Sequence, residues 1–349
     1  MFISRLGVMM SFRHVERKKC IGCGLCYSVC KFEAVEMTTD EFSYVPRLIE
    51  ENCTDCGECL EVCPEINVLD YPDKFGSIMK YLICNAKDQK IRHAASSGGA
   101  CRAILASLLD KGVVNKVIIT RATDDPYKSE TIVTGNISDL MSDRLNSIYS
   151  PTSPLSALKS LDEGLKYAFV GLPCHIAGLK LCPELKKNIF VTIGIFCTLT
   201  PSFKFIDTFA DDLSKNGEVT GLRYRGDGWP GKTVAYHQNG GQSEFNFVDM
   251  WHKYNYDRKF QLSRCGECTY YSSEFADISI GDAWHMLGRD QEGSSLVLVR
   301  SKKGADVIDA SESWIDIKTI DNPDEAMQFH DFNSQIKQGN KAKIKLAST

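Results

Sequence analysis

The chain carries no excess of charge, no long apolar run and no dinucleotide fingerprint, and each absence removes a class of function. Lysine and arginine number 41 against 45 aspartates and glutamates, a net charge of −4, so no basic field exists to gather nucleic acid. No eighteen consecutive apolar residues occur, which leaves no candidate membrane span. The apolar start, Met1 to Met10, is too short for a secretory core with a cleavage site, so the expected compartment is the cytoplasm. No G-x-G-x-x-G follows a strand, which excludes the Rossmann signature. His14, His93, His175, His237, His252, His285 and His330 show no H-x3-H pairing, so none is read as a metal ligand. No C-x3-C-x2-C run exists, which speaks against a radical enzyme using S-adenosylmethionine.

Cysteine, by contrast, is abundant: fifteen in 349 residues. Without an export signal this is not a disulfide framework. Eight of the fifteen fall into two matching runs, Cys20-x2-Cys23-x2-Cys26-x3-Cys30 and Cys53-x2-Cys56-x2-Cys59-x3-Cys63-Pro64. That doubled spacing holds two [4Fe–4S] cubanes, the fourth cysteine of each run crossing to the other cluster. Cys20, Cys23, Cys26 and Cys63 are thus assigned to one cluster, and Cys53, Cys56, Cys59 and Cys30 to its partner. Two zinc knuckles are the alternative, but four tetrahedral ligands would not require the repeated third and fourth cysteines. Gly24 and Gly57 occupy equivalent places, where a missing Cβ would let backbone N–H groups approach cluster sulfurs. Alternation around Thr39-Asp40 predicts a short hairpin between the runs. Residues 15–70 resemble a bacterial-type two-cluster ferredoxin, which implies electron transfer in a reducing, oxygen-poor compartment such as an anaerobe's cytoplasm.

Tyr71 to Gly76 reads as a linker. Beyond it, β-branched runs (Tyr81–Cys84, Val113–Ile119, Lys166–Val170, Ile189–Ile195) alternate with helical patterns (Gly99–Leu109, Asp139–Leu145, Leu155–Asp162, Phe203–Leu213). The expected architecture is α+β / α/β: a small ferredoxin-like domain followed by a larger mixed α/β domain whose last part is strand and loop. The expected divisions are 1–75, 76–164, 165–320 and a polar tail over 321–349.

Four further cysteines stand at element ends: Cys174 in Gly171-Leu172-Pro173-Cys174, Cys197 closing a strand, and the loop Cys265-Gly266-Glu267-Cys268. They suit a third [4Fe–4S] cluster, a structural zinc, or a redox dithiol with two core cysteines. Cys84, Cys101 and Cys182 lie inside elements and read as core. Ser96-Ser97-Gly98-Gly99-Ala100 precedes a helix, where exposed N–H groups favour an anion such as a flavin phosphate or simply cap the helix. Arg223, Arg225 and Trp229 lie in a turn-dense loop, readable as a tight hairpin or as the wall of a pocket for an anionic coenzyme.

Together, Ser97-Gly98-Gly99, Gly171 to Cys174, Gly194 to Cys197, and Cys265-x2-Cys268 followed by Ala276-Asp277-Ile278-Ser279-Ile280-Gly281-Asp282 resemble the coenzyme F-420 hydrogenase/dehydrogenase beta subunit family over about residues 78–320. The resemblance implies a non-covalent FAD, with Ser96 to Gly99, Tyr149, Ser150, Gly281 and Asp282 beside it. It also implies a third cluster on Cys174, Cys197, Cys265 and Cys268. The implied activity is an iron–sulfur flavin oxidoreductase exchanging hydride with a deazaflavin-type coenzyme or similar small molecule and passing electrons to a redox partner protein or other subunit. A non-catalytic electron-transfer subunit, or a reductase of a polysaccharide or amino-acid precursor, are the alternatives.

Overall fold

The computed structural model describes residues 15–255, 258–284 and 291–347; His14, His285 and the apolar start lie outside them. Thirteen strands form three sheets among the described residues. The first is the expected hairpin, β1 (Val35–Thr39) antiparallel to β2 (Tyr44–Leu48). Its turn is fixed by Asp40, whose carboxylate accepts from the Phe42 and Ser43 N–H groups at 2.8 and 2.9 Å.

The main sheet has eight strands: β3 (Lys80–Ala86), β4 (Lys116–Ala122), β5 (Ser129–Thr134), β6 (Tyr167–Gly171), β7 (Ile189–Ile195), β11 (Ile278–Asp282), β12 (Ser295–Val299) and β13 (Ile315–Thr319). Their order is β13-β3-β12-β11-β7-β6-β4-β5. Four consecutive strands, β11, β7, β6 and β4, run parallel, and antiparallel strands flank them on both sides. The parts before and after residue 164 interleave in this one sheet. A third sheet of β8 (Val219–Arg223), β9 (Lys232–His237) and β10 (Gln242–Asn246) is antiparallel.

Alternation along the strands gives the large sheet two apolar faces. Val117, Ile119 and Ala168 pack under the helix Ala100–Asp110, whereas Ile118 and Phe169 join Cys23, Leu25 and Val62 of the N-terminal module. That module is therefore docked on the sheet. The Leu155 N–H donates to the Cys23 carbonyl at 2.9 Å and the Ser28 hydroxyl to the Leu155 carbonyl at 2.7 Å. Gly24 and Gly57 both take left-handed φ, 85° and 80°, at the start of a short helix. A Cβ on Gly24 would lie 2.0 Å from Ser156 Oγ, so this glycine also answers to interdomain packing.

Three stretches differ from expectation. Residues 71–76 are tied down as they cross, the Tyr71 hydroxyl donating to the Thr269 carbonyl at 2.6 Å. The helix expected over Asp139–Leu145 is one turn, Ile137–Leu140, and Leu155–Asp162 is a 3-10 helix at Pro154–Ser160. The polar tail contains a 17-residue helix, Asp331–Ala347. Among the described residues no helix is long and apolar enough to cross a membrane.

Candidate functional site

In the N-terminal module Cys20, Cys23, Cys26, Cys59 and Cys63 line a cavity of about 200 Å³. Burial pushes the Cys23 and Cys26 thiols far up, and neighbouring thiols push the same way; Cys63 is raised to about 11, again mainly by burial. Buried thiols crowded together resist ionisation until a cation compensates the thiolates. Backbone N–H groups already point at sulfur: Gly22 to Cys20 at 3.4 Å and Ala34 to Cys30 at 3.3 Å. Cys53 is half-buried and Cys56 exposed.

The second thiol group forms at the C-terminal ends of the parallel strands. Cys174 sits in the first turn of Pro173–Leu181 after β6, Cys197 follows β7, and Cys265 lies in the short 3-10 turn Ser263–Gly266 that leads to Cys268. Cys174 is raised well above a free thiol, first by burial, then by Cys268, Cys197, Cys265 and also Cys23. Cys197 is raised to about 12 by burial and Cys265. The Thr200 N–H donates to Cys265 Sγ at 3.3 Å. Among the described residues no three His, Cys, Asp or Glu side chains close around a single ion.

The tail helix holds this corner from outside. Asn340 Nδ2 donates to the Gly266 and Cys268 carbonyls at 2.9 and 3.0 Å, and Lys337 Nζ to the Cys265 carbonyl at 3.3 Å. A buried ion pair, Arg264 with Glu65, ties the same loop to the segment after Cys63.

A cavity of about 700 Å³ opens beside these thiols. The ends of β4, β6, β7 and β11 contribute Thr120, Gly171, Ile195 and Gly281 to its wall, and Cys197 is part of the wall itself. The crevice beyond the carboxyl ends of parallel strands is where open α/β sheets bind ligands. Ser96, Ser97, Gly99, Tyr149, Ser150, Gly281 and Asp282 all line it. Gly98 does not. Its absent Cβ faces Asn85 Oδ1 at 2.3 Å and the Ser295 nitrogen at 2.6 Å, so sheet packing requires that glycine. Gly99 has φ 76°, and a Cβ there would meet Ala86, Ile91 and Arg92, so a larger residue would strain the fold before it reached a ligand.

The loop read as a coenzyme-binding wall contributes only Arg225. Its guanidinium is buried and bidentate to Asp282 at 2.9 and 3.0 Å, and it lies 4.5 Å from the Phe247 ring centre. A buried cation needs such a partner, so its charge is already balanced. Arg223 pairs with Asp227, and Trp229 donates to Asp282 at 3.2 Å while packing on Trp284; neither lines the cavity.

Sequence reasoning missed two groups. Arg102, two residues inside the helix after Gly99, is buried in the wall, and its hydrogen bonds go to neutral oxygens of Leu145 and Asn146. His175 is buried at the cysteine end, where burial lowers its pKa to about 4 and keeps the ring neutral. An arginine following a small-residue turn is a local signal for the first; nothing local marks the second. Cys101, read as core, also lines the cavity. Tyr149 stacks on Phe247 at 5.5 Å and packs against Trp251 at 4.9 Å, giving the opposite wall an aromatic face.

Comparison with known proteins gives the chain its family. The N-terminal and C-terminal family models of the coenzyme F420 hydrogenase/dehydrogenase beta subunit match residues 81–159 and 164–323. The chain belongs to this family. A 4Fe-4S dicluster domain matches residues 13–70, so the module in front is an iron–sulfur domain. A coenzyme F420-dependent sulfite reductase of Methanocaldococcus jannaschii is 30% identical over 85% of the chain, which spans only 47% of that relative. An F(420)H(2) dehydrogenase subunit of Methanosarcina mazei is 23% identical, with 88% of the chain and 87% of the relative covered. A chain of the F420-reducing [NiFe] hydrogenase complex from Methanosarcina barkeri shares the fold, at TM-score 0.61 and 20% identity over 79% of this chain and 94% of that one.

Proposed function

We propose that this chain is an iron–sulfur flavoprotein subunit that exchanges hydride with a deazaflavin coenzyme of the F420 type and passes the electrons singly to a protein partner. The observation that carries the reading is a set of thiols that influence one another between the large cavity and the ferredoxin module. Cys197 stands in the wall of the large cavity, Cys174 lies within electrostatic reach of the other three thiols in its group, and it also reaches Cys23 of the ferredoxin module.

The residues fit the groups proposed. About 700 Å³ is within the range of a cofactor pocket. At one end, Ser96, Ser97 and Arg102 place hydroxyls, a helix start and a buried cation where a diphosphate would lie. Ser150 Oγ is buried in the wall without a hydrogen-bond partner. Burial first, then neighbours within the set Cys174, Cys197, Cys265 and Cys268, raise the Cys174, Cys197 and Cys265 thiols, as among neighbouring ligands of one cluster. When bound, flavin converts between hydride and single electrons and the cubanes carry those electrons one at a time.

The chain's own part is to hold and shield. Burial and then Cys268 raise the Cys265 thiol, and the Thr200 N–H, Lys337 and Arg264 oppose that rise with positive potential. Arg225 and Asp282 fix each other under the aromatic wall. Anaerobic reconstitution followed by iron, sulfide and flavin analysis tests the reading: about twelve irons per chain are expected, with one FAD. Iron near eight with no flavin would leave an electron-transfer module alone.

A further inference from the structure

The large cavity presents a hydrogen-bond donor that the protein itself does not use, on His175, the residue after Cys174. Its residue is only 4% exposed, yet it lines the cavity beside Gly171, Leu172 and Cys197. The Leu172 N–H donates to His175 Nδ1 at 3.2 Å. An N–H donor facing Nδ1 requires that nitrogen to be the lone-pair side of the ring, so the proton of the neutral imidazole is on Nε2. Nε2 has no hydrogen-bond partner among the described residues. The backbone thus fixes the tautomer and leaves a single N–H donor unspent in a buried site. Nε2 is not among the fully buried unpartnered atoms, so it opens onto the cavity, where a bound acceptor can take its proton. Ser150 Oγ, buried and unpartnered in the same wall, supports the view that an absent ligand completes the site.

We propose that His175 Nε2–H donates to an acceptor atom of the flavin ring at the end of the cavity that faces Cys174 and Cys197, and that this bond strengthens when the ring is reduced. The inference rests on the flavin reading above. A flavin ring offers ring nitrogens and carbonyl oxygens as acceptors along one edge, and that edge gains negative charge on reduction. A neutral donor aimed there favours the reduced form, since hydrogen bonds to charged groups are about twice as strong as neutral ones. The side chain adjoining Cys174 in sequence would then set the potential at which the cofactor hands electrons toward the thiols.

The test is an anaerobic spectroelectrochemical titration of bound flavin in wild type and in His175→Leu, His175→Phe and His175→Gln, with flavin and iron content measured on each. Loss of the donor in the Leu and Phe variants should weaken binding of reduced relative to oxidised flavin by about tenfold, which lowers the two-electron midpoint by about 30 mV. The Gln variant, which keeps an N–H donor, should stay near wild type. Two donor-free variants are used because one of them can fail to assemble. A wild-type midpoint in either donor-free variant that retains flavin and iron overturns the proposal. So does a Gln variant lowered as far as Leu, because the packing of the ring would then be responsible. Wild-type protein that takes up no flavin at all overturns the underlying reading as well, and is distinguished by that alone.

Discussion

Replacing Arg264 with methionine should cost more stability than any surface charge change, and the reason lies in where its partner sits. The Arg264 and Glu65 side chains are 4% and 3% exposed. Removing the arginine leaves the Glu65 carboxylate buried with no counter-charge, a change worth about 3–5 kcal/mol where one partner of a buried pair is deleted. Replacing both residues with methionine removes both desolvation costs together and should be close to neutral. With a urea m-value of about 3 kcal/mol/M, the single variant should unfold about 1–1.7 M earlier and the double variant near wild type. Chemical unfolding under anaerobic conditions, followed by far-UV circular dichroism, reads this directly. Because the pair joins the segment after Cys63 to the loop carrying Cys265, the single variant should also release iron at lower urea. A midpoint shift below about 0.3 M, or a double variant as unstable as the single one, would refute the argument that this ion pair locks the two thiol groups together.

Other outcomes follow from the same geometry. Cys265→Ser with Cys268→Ser should remove about four irons of twelve and leave the ferredoxin EPR signals, whereas loss of all iron would show that the two modules do not assemble separately. Asn340→Ala unpairs the Gly266 and Cys268 carbonyls, so those four irons should be lost to chelator several-fold faster than in wild type while the other eight are unaffected. Arg102→Met should weaken flavin binding about 10- to 100-fold, the range of a hydrogen bond to a charged group, as measured by retained flavin after gel filtration. His330 accepts from the Tyr271 hydroxyl at Nδ1 and gives its Nε2–H to the Asp282 carbonyl, and burial lowers its pKa to about 4. The unfolded chain therefore takes up this proton first as pH falls. Its contribution to stability should be complete above about pH 6.5 and fall by up to about 3 kcal/mol toward pH 4, and His330→Phe should remove that share of the acid limb while the similarly buried His175 keeps its own.

What is legible in the sequence is what depends on neighbours along the chain. The two cysteine runs are legible by their local spacing, and Cys20, Cys23, Cys26, Cys59 and Cys63 line one cavity. Strands with strong β-branched runs, such as Ile189–Ile195, are legible to the residue. The edge strands Ser129–Thr134 and Gln242–Asn246 are not, because polar residues make up more than half of each and leave no continuous apolar run. The helix Asp331–Ala347 reads as a tail because its attachment uses side chains of Lys337, Asn340 and Lys341 on carbonyls, and an amide–carbonyl contact leaves no apolar periodicity to read. Arg225 looks like a free cation because Asp282 is 57 residues away in sequence. His175 escapes notice for the same kind of reason: its role depends on which ring nitrogen the Leu172 N–H occupies.

The central claim is that the cavity reaches the ferredoxin module through Cys174, Cys197, Cys265 and Cys268. Rapid mixing of the reconstituted protein with a reduced deazaflavin, with flavin absorbance and freeze-quenched cluster EPR followed together, tests it most directly when wild type is compared with Cys197→Ser. The account predicts that flavin bleaches in both proteins, but that the ferredoxin EPR signals grow promptly only in wild type and at least tenfold more slowly in the variant, the scale of about 1.4 kcal/mol on the barrier. Equal rates of cluster reduction in the two proteins would contradict it.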